Sequence, residues 1–273
     1  MAKNILITGA SRGFGKLWAK ALLRRGDKVA ATARKLQDLN DLVAEFGSAV
    51  FPVELNVDDR EACFSAVQQV KDRFGRIDVV VNNAGFGLFG AIEEITEEQA
   101  RNQMQTNFFG LLWVTQAVLP IMRAQQSGHI VQVSSFLGLV TVPFLGLYNA
   151  SKYAVNGLSE TLASEVEAFG IKVSMIEPNG YSTDWATASS VHTEPQEVYI
   201  MGKQAFEDSL TVDTYGIPEN TVPAFLQLID SDNPPLHFLL GKNAYGAVKD
   251  VYAARIAEFE DWKEVAITAH GSH

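Results

Sequence analysis

Apolar residues in this chain occur in two rhythms. Short, nearly continuous runs span 4–8, 28–33, 49–55, 77–82, 128–134, 172–177 and 236–240. Several do not alternate with polar residues, as expected of parallel strands covered on both faces. Between them lie longer stretches in which apolar positions recur at helical spacing: 13–25, 36–46, 59–74, 97–125, 148–169 and 244–264. Strands alternating with helices in this way predict an α/β, doubly wound (Rossmann) seven-stranded parallel sheet with helices on both faces and right-handed crossovers.

The rhythm breaks between Thr183 and Thr221. No strand is expected there, and the composition is polar with scattered bulky residues such as Trp185, Tyr199, Met201 and Phe206. An insertion of this length in a compact domain is usually functional. We read 183–221 as a lid over a substrate site, with helix around 195–210. Without a Pro/Gly/Ser-rich linker, residues 1–273 read as a single dinucleotide-binding catalytic domain.

Composition narrows the field. The net charge of -10, from 22 basic and 32 acidic residues, disfavours nucleic acid as a partner. No apolar run nears the ~18 residues of a membrane span, and the first residues lead into a strand without a signal-peptide pattern. A cytoplasmic location is expected. The single cysteine, Cys63, falls on a helical pattern with no base beside it and reads as a small core hydrophobe. His192 and His237 are isolated, 270–273 is too short for a metal site and reads as a disordered tail, and no metal is expected.

The first strand runs into Thr8-Gly9-Ala10-Ser11-Arg12-Gly13-Phe14-Gly15, where a helix begins. Glycines at such a turn let the backbone approach a pyrophosphate, and the helix offers free N–H groups to the anion. In dinucleotide folds an acidic residue after the second strand bonds the ribose 2′-hydroxyl of NAD, whereas an arginine accepts the 2′-phosphate of NADP. This chain reads Ala33-Arg34-Lys35, with Arg12 in the turn as a second guanidinium. NADP(H) is therefore the expected cofactor.

Tyr148 and Lys152 are four residues apart on a predicted helix and share a face. A free phenol titrates near ~10, and an ammonium beside it should lower that value toward the range useful for proton transfer. Ser135 lies upstream, at the end of the fifth long strand run.

Together these residues give the chain a resemblance to the short-chain dehydrogenase/reductase family, in its compact single-domain branch, from residue 4 to about 183. The likeness rests on the glycine turn, Asn82-Asn83-Ala84-Gly85, Asn107, Ser135, Tyr148-x-x-x-Lys152 and the segment from Pro178 to Thr183. The resemblance implies that Tyr148 exchanges a proton with the substrate oxygen. Ser135 would hold that oxygen, and Lys152 would lower the phenol pKa and bond the nicotinamide ribose. Asn107 would help hold a water in a proton relay. It further implies cofactor contacts from Gly9, Ser11, Arg12, Gly13, Phe14, Gly15, Arg34, Asn56, Val57, Asn83, Ala84, Gly85, Pro178, Asn179, Gly180 and Thr183. Two positions depart from the family pattern. Asn56-Val57 stands where Asp is common, and Pro178-Asn179-Gly180 replaces Pro-Gly, with Asn179 expected to tolerate a positive φ.

Phe86, Phe136, Val142, Phe144, Leu145, Tyr181 and Trp185 are the expected pocket walls, suited to an apolar ketone or secondary alcohol. The resemblance is strongest to NADP-dependent carbonyl reductases and steroid- or retinol-type dehydrogenases, and implies an NADPH-dependent reductase of apolar or aromatic carbonyls. The alternative is an NADP(H)-binding redox sensor without turnover. Relatives form dimers or tetramers through the helices at 97–125 and 148–169, so a homo-oligomer is expected.

Overall fold

The structure, a computed structural model, describes residues 2–183, 185 and 189–271. Seven strands form one parallel sheet: β1 (Asn4–Ile7), β2 (Lys28–Ala33), β3 (Val50–Glu54), β4 (Val79–Asn82), β6 (Gly128–Val133), β7 (Ile171–Pro178) and β9 (His237–Leu240). Their order is β3-β2-β1-β4-β6-β7-β9. The order reverses between β1 and β4, which opens a crevice beyond the carboxyl ends of those strands. Pro52 in β3 is tolerated because β3 is an edge strand.

Both faces of the sheet are covered, as the unbroken apolar runs require. Within β1, Ile5 and Ile7 join one core and Leu6 the other. The first core is closed by α1 (Gly13–Arg25) and α8 (Thr221–Asp230). At its centre Trp18 stacks between Phe14 and Phe225, with ring centroids 4.9 and 4.5 Å away. Its indole N–H donates to Thr221 Oγ1 at 2.9 Å. The opposite core is filled from α3 (Arg60–Phe74), α5 (Leu111–Gln125) and α6 (Gly146–Val166). The Asp59 carboxylate caps α3 by accepting from Ala62 N. Cys63 is fully buried there, and burial pushes its thiol up to about 12, so it packs and does not react.

Three sequence expectations change. The helix expected over 97–125 is divided into α4 (Glu97–Met104), a π-helical turn over Gln105–Gly110, and α5. Gly110 packs against Val57 so closely that a Cβ would lie 2.8 Å from Val57 Cγ2. The widened turn carries Asn107 into the interior. The segment 36–46 starts as a 3₁₀ turn and becomes α2 only over Asn40–Phe46.

The stretch expected to hold no strand contains β8 (Val191–His192), paired in parallel with β5 (Leu88–Phe89). These two-residue strands tie the lid to the segment after β4. The expected lid helix is present as α7 (Glu197–Ser209). Helices α9 (Lys242–Asp261) and α10 (Lys263–Thr268) follow β9. No helix among the described residues is long and apolar enough to cross a membrane. In the expected C-terminal tail, 272–273 lie outside the described residues.

Candidate active site

The glycine turn leaves β1 with Gly9 and Gly13 at φ 66° and 53°, values that favour glycine. Gly15 permits close helix–strand packing, since a Cβ there would lie 2.4 Å from Gly9 O. The turn is fastened to the end of β4 by two side chains. Thr8 Oγ1 accepts from the backbone N–H groups of Asn83 and Ala84 at 2.9 and 3.0 Å. The Asn83 amide donates to Thr8 O and Gly9 O, both at 3.0 Å.

From this turn a cavity of about 790 Å³ runs along the strand ends to the lid. Gly9, Arg12, Gly13, Phe14, Arg34, Asn56, Val57, Asn83, Ala84, Gly85, Pro178, Asn179, Gly180 and Thr183 line it, as do Ser135, Tyr148 and Lys152. Ser11 and Gly15 lie in the turn but off the wall. Among the described residues no carboxylate pairs with Arg12 or Arg34. Two guanidiniums facing a cavity with no carboxylate paired to either among the described residues, beside a glycine cradle, fit an anionic dinucleotide.

Ser135 ends the strand run at β6, and its Oγ accepts from Leu137 N at 3.1 Å. The hydroxyl donates to Pro178 O at 3.4 Å and lies near enough to the Tyr148 phenol to favour its charged form. Lys152 Nζ donates to Val133 O at 2.8 Å and sits 5.6 Å from the Tyr148 ring centroid. The helical spacing thus brings the pair together as expected, but the electrostatic outcome differs. Burial pushes the Tyr148 phenol above its ordinary value, and only the Ser135 hydroxyl opposes it. Burial also pushes Lys152 down to about 8. Loss of hydration dominates because both groups are removed from water.

Asn107 is placed beside the cavity and not on its wall. Its side chain is committed at both ends: Oδ1 accepts from Phe86 N at 3.0 Å, and Nδ2 donates to Phe86 O at 3.0 Å and Ser151 Oγ at 3.2 Å. A Cβ on Gly85 would lie 3.1 Å from Asn107 Oδ1 and 4.0 Å from Lys152 Nζ. Asn107 therefore braces the loop that passes Lys152.

The loop after β7 corrects the expectation for Asn179, which does not adopt a positive φ. Its N–H donates to Leu240 O, and its Nδ2 donates to Gly180 O at 2.7 Å. The left-handed residue is Gly241, at φ 105°, where a Cβ would overlap Asn179 Oδ1. The extra residue is thus absorbed by packing against the turn after β9.

Phe86, Phe136, Val142, Leu145, Tyr181 and Trp185 line the cavity. Phe144 does not; at φ 61° it turns toward Phe206 of α7. Phe206, Leu210 and Tyr215 of the expected lid join the wall, as does Phe89, which sequence reasoning missed. It also missed Glu94. This buried carboxylate accepts from Ala91 N, Thr193 Oγ1 and Gln196 N, and pairs with Lys203 of α7 at 2.5 Å. Burial acts to raise it, but Lys203 and the three hydrogen bonds win and hold it at about 2. An acidic pair in a loop, Glu93-Glu94, gave no sign of this. Among the described residues no three His, Cys, Asp or Glu side chains group as metal ligands.

Comparison with known proteins agrees with this geometry. A family model described as short chain dehydrogenase matches residues 3–194. The chain is 41% identical to an oxidoreductase of Botryotinia fuckeliana, BOA17, over 98% of this chain and 100% of that one. It is 44% identical to a 3-ketodihydrosphingosine reductase of Bacteroides thetaiotaomicron, over 66% of this chain and 64% of that protein. Among solved structures, a short-chain dehydrogenase from Streptomyces avermitilis superposes with a TM-score of 0.91 at 35% identity, covering 98% of each chain. An alcohol dehydrogenase from Thermococcus sibiricus complexed with 5-hydroxy-NADP does so at 0.73 and 27% identity, covering 88% of this chain and 96% of that one. The chain is therefore an oxidoreductase belonging to the short-chain dehydrogenase/reductase family.

Proposed function

We propose that this protein is an NADPH-dependent reductase of apolar or aromatic carbonyl compounds, acting reversibly on the corresponding alcohols. The observation that carries the reading is the layout of one continuous cavity. Arg12 and Arg34 stand at the glycine-turn end, Ser135, Tyr148 and Lys152 lie further along, and aromatic side chains wall the rest. The fungal and bacterial relatives are an oxidoreductase and, by its name, a reductase of a keto compound, which supports a carbonyl substrate. The solved relative complexed with 5-hydroxy-NADP supports the phosphorylated cofactor.

The cofactor would lie on Gly9–Phe14, with Arg34 and Arg12 toward its 2′-phosphate and the loops 83–85 and 178–183 alongside. When bound, it supplies a hydride for the substrate carbon. The chain's own residues manage the oxygen. Ser135 donates a hydrogen bond to it and holds the carbonyl in place. Tyr148 delivers the proton as charge develops there. Lys152 bonds the ribose, and its ammonium, when charged, favours the phenolate left after proton transfer. With both ends of its amide committed, the Asn107 side chain braces 85–86 and α6 around the place where it would help hold the relay water.

A cytoplasmic home goes with the single buried thiol of Cys63. A dimer or tetramer through α4, α5 and α6 is supported by the exposed face of α6, where Gly157 has open space beside it.

The test is Tyr148→Phe assayed with NADPH on a panel of aryl ketones. A fall in kcat of at least about 100-fold, in line with loss of a general acid, is expected, with NADPH affinity retained. Near-normal turnover would falsify the tyrosine mechanism.

A further inference from the structure

Tyr148, Lys152, Asn156 and Glu160 stand at four-residue intervals on α6 and share one face. The first two serve the reaction. The next two lead into a polar cluster with no assigned part in it. Asn156 is 3% exposed and fully engaged. Its Oδ1 accepts from Ser134 Oγ at 2.5 Å, and its Nδ2 donates to Glu177 Oε1 at 2.8 Å and Gly138 O at 3.2 Å. The amide can face only one way, because a carboxylate and a carbonyl both accept.

Glu177 lies fully buried near the end of β7. Its Oε1 is also 3.0 Å from His237 Nδ1, and His237 Nε2 is 3.4 Å from Glu160. Its Oε2 has no partner among the described residues. Burial pushes this carboxyl above its ordinary value, against the bonds from His237 and Asn156. A buried carboxylate with one bare oxygen is a costly way to fill space.

The cluster grips the segment that carries Ser135 and the strand end that contacts it. Ser134 and Gly138 lie on either side of Ser135, and Asn156 bonds to each. Glu177 precedes Pro178, whose carbonyl oxygen is 3.4 Å from Ser135 Oγ. Gly138 sits so close to α6 that a Cβ would be 2.9 Å from both Asn156 Nδ2 and Lys152 O. The turn 134–138 is thus clamped between α6 and β7.

We propose that Glu177 and Asn156 are positioning residues for Ser135, acting through the 134–138 turn to hold its hydroxyl against Tyr148 and the carbonyl oxygen. The proposal rests on the reading of Ser135 and Tyr148 as the carbonyl-binding pair. Misplacement of a positioning group by about an ångström can cost up to ~100-fold in rate.

Glu177→Ala, Asn156→Ala and Glu177→Gln are made in wild-type and Ser135→Ala backgrounds. Each is assayed with NADPH and the aryl ketone most rapidly reduced in the panel above, with NADPH affinity followed by fluorescence and folding by thermal melting. Both alanine variants are expected to lose roughly 10-fold or more in kcat, with little change in KM or NADPH affinity. Glu177→Gln, which keeps an acceptor for Asn156, should recover most of that loss. In the Ser135→Ala background neither alanine change should lower kcat further.

Additive losses in that background would overturn the proposal, as would wild-type kcat in both single variants. Asn156→Ala gives the same readings if Glu177→Ala does not fold. Loss of the fold in both would show the cluster to be structural and also overturn it. Normal turnover by Ser135→Ala alone would instead overturn the underlying reading of the site.

Discussion

Trp185 covers the Tyr148 phenol ring, with centroids 4.8 Å apart and planes at 59°. The indole also packs against Phe89, with centroids 5.5 Å apart, and it fits because residue 87 is glycine. A Cβ at Gly87 would lie 2.6 Å from Trp185 Cζ2. The lid thereby places a flat apolar wall over the residue assigned the proton transfer, and shares in the burial that raises its pKa.

Trp185→Ala should therefore change which ketones are accepted. Removing the indole enlarges the space over Tyr148, so kcat/KM for small aryl ketones should fall and that for bulkier ones rise, each by about 10- to 200-fold. The pH profile should shift as well, because a better-hydrated phenol titrates lower. Unchanged relative kcat/KM across a graded series of ketones would show that Trp185 does not bound the substrate.

Arg34 faces the cavity and pairs with no carboxylate among the described residues, which suits its charge to a ligand phosphate. Arg34→Ala should raise KM for NADPH by about 10- to 100-fold, as loss of a charge-assisted hydrogen bond implies. KM for NADH should change by less than about 3-fold on the same grounds, since that cofactor has no 2′-phosphate to lose. Steady-state kinetics with both cofactors decide it. A wild-type preference for NADH, or equal losses for both cofactors, would remove Arg34 from the role.

The sheet and the shared face of Tyr148 and Lys152 were legible in the sequence because each is set by local pattern. A parallel strand buried on two faces must be apolar throughout, as Ile5, Leu6 and Ile7 are. An i, i+4 pair on a helix must share a face, as Tyr148 and Lys152 do. What was not legible depends on contacts distant in the chain. The strands β5 and β8 have two residues each and exist only through their pairing. The π turn at Asn107 depends on Gly110 meeting Val57. Glu94 is one of two adjacent acids in a loop, and its burial comes only from Thr193, Gln196 and Lys203, about a hundred residues away. One signal was available and unused: continuing the four-residue step from Tyr148 and Lys152 reaches Asn156 and Glu160.

Glu94 pins the lid at three points, through Thr193, Gln196 and Lys203. Glu94→Gln would leave the Lys203 ammonium facing a neutral amide and weaken the pin without a change of shape. KM for the ketone should rise about 10-fold while NADPH affinity holds, given the roughly 1.5–3 kcal/mol of a charge-assisted bond spent partly on lid closure. Limited proteolysis within 189–215 should accelerate. Unaltered KM together with unaltered cleavage would show that the lid closes without this ion pair.

His129 gives the fold its own response to acid. It is 4% exposed in β6, and its Nε2 lies 3.0 Å from Ser174 Oγ. Ser174 already donates its hydroxyl proton to Pro235 O at 2.8 Å, so the imidazole must be the donor in that pair and is neutral with its proton on Nε2. Burial pushes His129 down to about 3, with Lys172 and Lys3 adding repulsion. An unfolded histidine takes up its proton near ~6.5. Between those values the unfolded chain holds one more proton at this residue than the folded chain does. Stability therefore falls as pH drops from about 6.5 toward 3, by about 1.4 kcal/mol per pH unit from this group alone. His129→Gln keeps a donor for Ser174 and removes the titration. Urea unfolding at pH 6.5 and 5 should show the wild type losing roughly 2 kcal/mol more than the variant over that interval. Equal losses in the two proteins would mean that His129 is protonated in the folded state, against its burial and its bond to Ser174.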